Sequence, residues 1–166
     1  MSPVFDHIAI IGVGLIGSSI AHAARTKGSA ERITLYDASA EVRARCRELQ
    51  LGEVADDFAD AVRGADLIVL AAPVGAMANI AEAIAQHLKP GAIVSDVGSV
   101  KRAVVDAVAA QLPAHALFIP GHPLAGTEHS GPDAGFASLF DGRWYISTPL
   151  PDARPEYGEA IDRLEA

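Results

Sequence analysis

The sequence predicts a doubly wound α/β fold, in which helices cover both faces of a mainly parallel sheet. Short runs of aliphatic and β-branched residues alternate with longer segments of helical periodicity. A glycine pattern at Gly12–Gly17 directly follows the first apolar run and opens a helical segment. Because parallel strands need a crossover between them, usually a helix, this alternation favours a parallel sheet.

Six runs are predicted to be strands, and four longer segments are predicted to be helices. The strands are His7–Ile11, Arg32–Tyr36, Leu67–Leu70, Ala92–Ser95, Leu117–Ile119 and Trp144–Ser147. The helices are Leu15–Lys27, Ala40–Leu51, Gly75–Leu88 and Val100–Gln111, with a weaker one at Asp57–Val62. Glycine and proline at the ends of these segments supply stop signals.

Length and charge narrow the class of partner. A chain of 166 residues is about the size of one domain, and its net charge of −8 argues against nucleic acid or an anionic membrane as partner. The single cysteine, Cys46, excludes an internal disulfide and suits a reducing compartment. Three nearby arginines make a lowered thiol pKa conceivable, although an inert thiol is the favoured interpretation. We expect a soluble, cytoplasmic protein that binds a small molecule.

The glycine pattern predicts a Rossmann-type dinucleotide-binding domain. Gly12 permits the tight turn, Gly14 lets the backbone approach a pyrophosphate, and Gly17 allows close contact between helix and strand. The amides of the first helical turn, which includes Leu15 and Ile16, then face the anion with the helix dipole behind them.

The ends of the second and third strands supply the other expected cofactor residues. Asp37 lies 20 residues beyond Gly17, and a carboxylate there accepts hydrogen bonds from ribose hydroxyls and repels a 2′-phosphate, which selects NAD over NADP. Asp37 would alternatively be a helix N-cap, and Arg43 in the next helix could still accommodate a phosphate. After the third strand, the small segment at Ala72 and Pro73 would let a dinucleotide pass closely.

Two residues are candidates for the reaction site. His122 directly precedes Pro123 in Gly121–Gly131, a segment expected to form a loop at the carboxyl end of a strand, where open α/β sheets bind ligands. Ser99 follows the fourth strand and would be either a plain N-cap, the favoured interpretation, or a hydroxyl beside the nicotinamide. A serine and a histidine converging there suit alcohol oxidation, because the base takes the hydroxyl proton while hydride leaves the same carbon.

Three segments together resemble the nucleotide-binding portion of prephenate and arogenate (cyclohexadienyl) dehydrogenases of tyrosine biosynthesis. They are Ile10–Ser19, Ser95–Lys101 and Gly121–Glu128. The resemblance implies that His122 is the catalytic histidine contacting the substrate's ring hydroxyl and that Ser99 assists it. It also implies that Thr127 and Glu128 border the substrate pocket.

The implied reaction is NAD-dependent oxidative decarboxylation of prephenate to 4-hydroxyphenylpyruvate, or of arogenate to tyrosine. Members of the family carry a helical carboxyl-terminal domain that forms the homodimer and supplies cations for the substrate carboxylates. Lys101 and Arg102 are the nearest cations here, but we interpret them as solvated charges.

We assign residues 1–150 to the NAD-binding domain and residues 151–166 to the start of a helix that leads to such a further domain. An apolar helical face has no later segment to pack on; its residues are Tyr157, Ala160, Ile161 and Leu164. On this interpretation the chain alone would show little or no turnover.

Two alternatives remain open at this point. One is a β-hydroxyacid-type dehydrogenase, which generally uses a lysine from a later helical domain; the Gly121–Glu128 segment argues against it. The other is a non-catalytic NAD-binding module. No cluster in the sequence has metal-ligand spacing, so no metal is expected.

Overall fold

Six parallel strands form the central sheet, in the order β3-β2-β1-β4-β5-β6. The computed structural model describes residues 2–151 and 154–165. The strands are β1 Phe5–Ile11, β2 Ala30–Tyr36, β3 Glu53–Val54, β4 Leu67–Leu70, β5 Ile93–Asp96 and β6 Leu117–Ile119. The helices are α1 Leu15–Lys27, α2 Ala40–Glu48, α3 Phe58–Val62, α4 Val74–Ala85, α5 Lys101–Val108 and α6 Glu156–Glu165. Within these ranges no helix has the length and apolar character needed to cross a membrane.

The strand order confirms the predicted doubly wound α/β fold. The chain runs outward from β1 through β2 to β3, then returns to pair β4 with the other side of β1 before adding β5 and β6. The strand order therefore reverses between β1 and β4. A crevice opens at the carboxyl ends of these two strands, which is where such sheets bind ligands.

Apolar residues on both faces of the strands build two hydrophobic clusters. Ile11 of β1 packs in the cluster that contains Ile84 of α4, whereas its neighbour Ile10 packs in the cluster that contains Ala21 of α1. Because helices cover both faces, the strands read as continuous apolar runs rather than alternating ones.

Two expectations about strands are wrong. Trp144–Ser147 does not extend the parallel sheet: Tyr145–Ser147 forms β8, which pairs antiparallel with β7, Gly121–Pro123. The predicted loop at Gly121–Gly131 therefore begins as a short strand, because backbone pairing with β8 orders a segment whose composition is typical of a loop. The sixth strand of the sheet is instead β3, a two-residue edge strand absent from the prediction.

Helix α6 packs on the sheet, so its apolar face finds its partner among earlier elements of the chain. Tyr157 and Ala160 are buried against the face of the sheet that also carries α1. The Tyr157 hydroxyl accepts a hydrogen bond at 3.2 Å from the amide of Phe118 in the edge strand β6. The predicted domain boundary at residues 150 and 151 adjoins residues 152 and 153, which lie outside the described residues.

Candidate active site

Close contacts shape the glycine loop between β1 and α1. Gly12 has a φ of 95°, and a Cβ there would lie 2.7 Å from the backbone of Ala71 after β4. A Cβ at Gly17 would collide with the carbonyl oxygen of Gly12. Both glycines are therefore needed to seat the start of α1 against the sheet.

Gly14 differs from these two glycines because it borders open space. A Cβ at Gly14 would meet no atom within 4 Å. Gly14 is the N-cap of α1, which has no side-chain cap and no acidic residue in its first turn, at Leu15 and Ile16. The amides at this helix end are therefore available to an anion.

Asp37 ties the end of β2 to the glycine loop. One carboxylate oxygen accepts a hydrogen bond from the amide of Val13 at 2.9 Å, and the other accepts one from the amide of Ser39 at 2.9 Å. Ser39 is the N-cap of α2, with its hydroxyl accepting from the amide of Val42 at 3.3 Å. The alternative of Asp37 as a helix N-cap is therefore wrong.

Arg43 is directed at the backbone beside Asp37. Its guanidinium donates to the carbonyl of Asp37 at 2.7 Å and to that of Ala38 at 3.2 Å. The same group lies 5.5 Å from the ring centroid of Tyr36, and the side chain is mostly buried. These hydrogen bonds use one guanidinium nitrogen, Nη1, whereas the buried Nε has no hydrogen-bond partner among the described residues.

A cavity of about 600 Å³ lies at the predicted crevice, and its lining fits a dinucleotide. Of the residues expected to bind the cofactor, Gly12, Gly14, Asp37, Ala72 and Pro73 line it. Leu15, Ile16 and Gly17 are not among the lining residues, which leaves helix-end amides and packing as their means of contributing. Further lining residues were not predicted from the sequence; among them are Tyr36, Phe58, Asn79 and Ile80.

His122 lies on an apolar face of the β7–β8 hairpin. It pairs across the hairpin with Ile146, and the amide of Leu124 donates to the carbonyl of Trp144 at 2.8 Å. Because directly paired residues share a face, the imidazole lies on the same side as the exposed side chain of Ile146. The Nδ1 atom of His122 is buried and has no hydrogen-bond partner in the part of the chain that the structure describes.

The Ser99 loop and the His122 strand are attached to the same carboxylate. Asp96, fully buried at the end of β5, accepts a hydrogen bond from the amide of Gly98 at 2.8 Å and one from the amide of Gly121 at 3.1 Å. Ser99 is exposed, and the N-cap of α5 is Val100 with no side-chain cap. The N-cap interpretation of Ser99 is therefore wrong.

The two neighbouring cations have different surroundings. Lys101 is mostly buried, and its ammonium donates to the carboxylate of Asp96 and to the carbonyl of Gly121. Arg102 is 92% exposed and lies 3.5 Å from Asp106 one turn further along α5. The expectation of a solvated charge is thus confirmed for Arg102 and wrong for Lys101.

Thr127 and Glu128 follow the hairpin in an exposed segment. The Thr127 hydroxyl accepts from the amide of His129 at 3.2 Å, and Glu128 lies 3.5 Å from the imidazole of His129. These contacts are local, and neither Thr127 nor Glu128 lines the dinucleotide cavity.

Cys46 is an inert core thiol. Its side chain is fully buried on α2, and burial raises its thiol pKa to about 11, with the carboxylates of Asp37 and Asp133 adding to the effect. The suggested lowering by arginines is wrong, because burial and these acidic neighbours outweigh the nearby charge of Arg47. Among the described residues, no three His, Cys, Asp or Glu side chains are grouped as metal ligands.

The strand order, the glycine loop and the cavity at the switch point together define a Rossmann-type nucleotide-binding domain. Residues 20–164 match the family model of the prephenate dehydrogenase nucleotide-binding domain. The chain belongs to this family, which confirms the resemblance drawn from its three motifs.

The chain is similar to proteins named cyclohexadienyl, arogenate and prephenate dehydrogenase. It is 52% identical over 147 residues to cyclohexadienyl dehydrogenase of Zymomonas mobilis subsp. mobilis, covering 88% of this chain and 50% of that protein. The solved arogenate dehydrogenase of Synechocystis matches with a TM-score of 0.84 and 32% identity, covering 96% of this chain and 56% of that chain. Prephenate dehydrogenase of Aquifex aeolicus, in complex with hydroxyphenyl propionate and NAD+, matches with a TM-score of 0.78 and 26% identity. The match covers 96% of this chain and 56% of that chain. The chain thus spans about half the length of these relatives.

Proposed function

We propose that this chain is the cofactor-binding half of an NAD-dependent prephenate or arogenate dehydrogenase. The observation that carries the proposal is that the dinucleotide cavity and His122 lie at the same edge of the sheet. The dinucleotide cavity opens beside Ala72 after β4, and His122 is attached through Gly121 to Asp96 at the end of β5, the strand next to β4. A histidine near a bound dinucleotide is what the oxidation of a ring alcohol requires.

His122 is the proposed base, and Ser99 is its proposed partner. The bound nicotinamide would supply the hydride acceptor. His122 takes the proton of the ring hydroxyl as hydride leaves the carbon that carries it, and Ser99 holds the oxygen. Carbon dioxide then leaves the ring, and the bonding electrons that it leaves behind make the ring aromatic. The resulting phenolate oxygen takes the proton back from His122, which gives the phenol. An imidazole suits this proton transfer, because histidine is the side chain that changes charge near neutral pH.

Asp37 supports a preference for NAD over NADP. Its carboxylate lines the cavity, where it would accept hydrogen bonds from the ribose hydroxyls and repel a 2′-phosphate. Arg43, the nearest candidate to compensate such a phosphate, donates to the backbone carbonyls of Asp37 and Ala38 instead.

The rest of the substrate site is proposed to come from a second, helical domain. Leu124, Trp144 and Ile146 expose apolar side chains at the hairpin that carries His122, and such exposure suits a covering partner. Thr127 and Glu128 would border the pocket, and the complete protein would be a homodimer through that domain. A cytoplasmic location stays a prediction from the sequence.

The test is turnover of the complete protein with each substrate. Prephenate and arogenate are incubated separately with NAD, and reduced nicotinamide and carbon dioxide are measured together. We expect at least one substrate to give the two products in equal amounts. Binding of NAD without reduction by either substrate would contradict the proposal and favour a non-catalytic NAD-binding module.

A further inference from the structure

We propose that Asp96 and Lys101 form a positioning pair that fixes the backbone of Gly121 and, through it, the imidazole of His122. The inference rests on the proposed function, because it assigns the pair to the same reaction site. Both backbone groups of Gly121 are held: its amide donates to Asp96 at 3.1 Å, and its carbonyl accepts from the ammonium of Lys101. The carboxylate and the ammonium also bind each other.

The energetics of helix α5 do not explain why a lysine stands at position 101. It is the first residue of α5, where the positive end of the helix dipole disfavours a cation, and the N-cap Val100 offers no side-chain hydrogen bond. Its ammonium folds back onto the end of β5 and the start of β7. This placement connects α5, β5 and β7.

Stability alone is a weak reason for such a pair. Asp96 is fully buried and Lys101 is only 20% exposed, so both charges lose most of their hydration. The attraction between buried charges often only offsets that loss, and apolar replacements are frequently as stable. What the pair provides here is a defined orientation for the two peptide groups that flank the Cα of Gly121.

The opposite strand of the hairpin restricts the same residue. A Cβ at Gly121 would collide with the Tyr145 hydroxyl, which lies 2.7 Å from the hydroxyl of Ser95 in β5. Gly121 is thus enclosed by Tyr145 on one side and by the ion pair on its two backbone groups. A residue held this firmly leaves its neighbour His122 little freedom to shift.

The pair also reaches the loop of Ser99. The second oxygen of Asp96 accepts from the amide of Gly98, and Lys101 follows Ser99 by two residues. Loss of the pair would therefore move both proposed reacting side chains relative to the cofactor cavity. A displacement of about 1 Å at a reaction site costs roughly a hundredfold in rate.

Lys101→Met tests the pair, with Arg102→Met as the matched control, because Arg102 is an exposed cation on the same helix. In the complete protein we expect Lys101→Met to lower kcat roughly tenfold to a hundredfold while NAD affinity and the KM for NAD stay unchanged. In this chain, the amide NMR resonances of Gly121 and His122 should shift in Lys101→Met and stay in place in Arg102→Met. Unshifted resonances or a normal kcat would overturn the inference.

A double-mutant cycle separates positioning by the pair from general destabilisation. If the two charges act as a unit, Asp96→Asn combined with Lys101→Met should lower kcat no further than the more damaging single change. Independent, additive losses would contradict the inference. The double variant, which buries no unpaired charge, also serves if Lys101→Met fails to fold.

The NMR readout keeps this inference distinct from the proposed function. If His122→Asn retains normal turnover, the proposed base is wrong, whatever the resonances show. If His122→Asn is inactive and Lys101→Met is normal in both kcat and resonances, the base stands and the positioning pair fails.

Discussion

The carboxylate of Asp37 accepts a hydrogen bond from the backbone amide of Val13 at 2.9 Å, which joins the end of β2 to the glycine loop. The carboxylate therefore braces the loop while it lines the dinucleotide cavity. A single side chain thus links the shape of the site to the proposed preference for NAD.

Asp37→Ala should narrow the difference in affinity between NAD and NADP. The change removes an acceptor for the ribose hydroxyls and the charge that repels a 2′-phosphate. Loss of a charged hydrogen bond of about 1.5–3 kcal/mol weakens NAD roughly tenfold to a hundredfold. Dissociation constants for both cofactors, measured by titration calorimetry, check this.

The exposed Asp56 offers the control for Asp37. Asp56→Asn removes one negative charge close to Arg43 and Arg47 but outside the cavity lining, so it should leave the ratio of affinities unchanged. Equal affinity for NAD and NADP in the unmodified protein would refute the proposed preference.

Substitution by alanine should affect stability and NAD affinity differently at Gly14 and at Gly17. Gly14→Ala adds a methyl group in open space, so it should cost less than about 1 kcal/mol of stability yet weaken NAD roughly tenfold or more, by keeping the pyrophosphate from the amides. Gly17→Ala forces a methyl group onto the carbonyl of Gly12, so it should lower stability by about 1–3 kcal/mol. Thermal unfolding and NAD titration of both variants check the contrast, which an equal loss of stability would contradict.

Ser99→Ala separates a catalytic hydroxyl from a helix cap. Ser99 is exposed and Val100 occupies the N-cap, so the change should alter stability by less than about 0.5 kcal/mol, whereas loss of a cap costs about 1 kcal/mol. The kcat of the complete protein should fall roughly tenfold, as expected for a lost hydrogen bond to the reacting oxygen. A lower melting temperature with normal turnover would restore the cap interpretation.

His7 makes stability depend on pH. Burial at the start of β1 lowers the pKa of its imidazole, as does the charge of Arg32, while Glu53 and Asp66 oppose this. The unfolded chain therefore binds more protons than the folded chain below pH of about 6.5, so the free energy of unfolding should fall as the pH drops through that value. Denaturant unfolding of the protein and of His7→Gln across this range checks the effect.

The prediction for His7 depends on how the free energy of unfolding changes with pH in the unmodified protein and in His7→Gln. His7→Gln lacks the titrating ring, so its stability should decline less steeply as the pH falls. His129→Gln, a change at an exposed histidine, should follow the unmodified protein. Parallel profiles for all three proteins would rule out His7 as the titrating group.

The central fold was predictable from the sequence because its signals are local. Leu67–Leu70 and Leu117–Ile119 are buried apolar runs, and the observed strands have the predicted bounds. β3 gave no such signal, since Glu53 is exposed and the two-residue strand exists only through backbone pairing with β2. The predicted α2 ran to Leu51, but Gln50 adopts a left-handed φ of 52° and the helix ends at Glu48.

The place of the candidate site was predictable from local motifs, since Gly12, Gly14 and Asp37 all line the cavity at the switch point. The role of Asp96 was not, because its contacts with Gly121 connect residues 25 positions apart. Its place at the carboxyl end of a buried strand was the available signal. Phe58 had no signal in the sequence, because only the fold brings its ring centroid to 4.4 Å from the ring centroid of Tyr36 beside the cavity.

The most direct test of the account is the kcat of His122→Asn in the complete protein, measured beside His129→Asn as a control from the same segment. Loss of a general base should lower kcat roughly a hundredfold to ten-thousandfold, while NAD affinity stays close to that of the unmodified protein. His129→Asn should retain normal turnover. A kcat for His122→Asn close to that of the unmodified protein would contradict the assignment of His122 as the base.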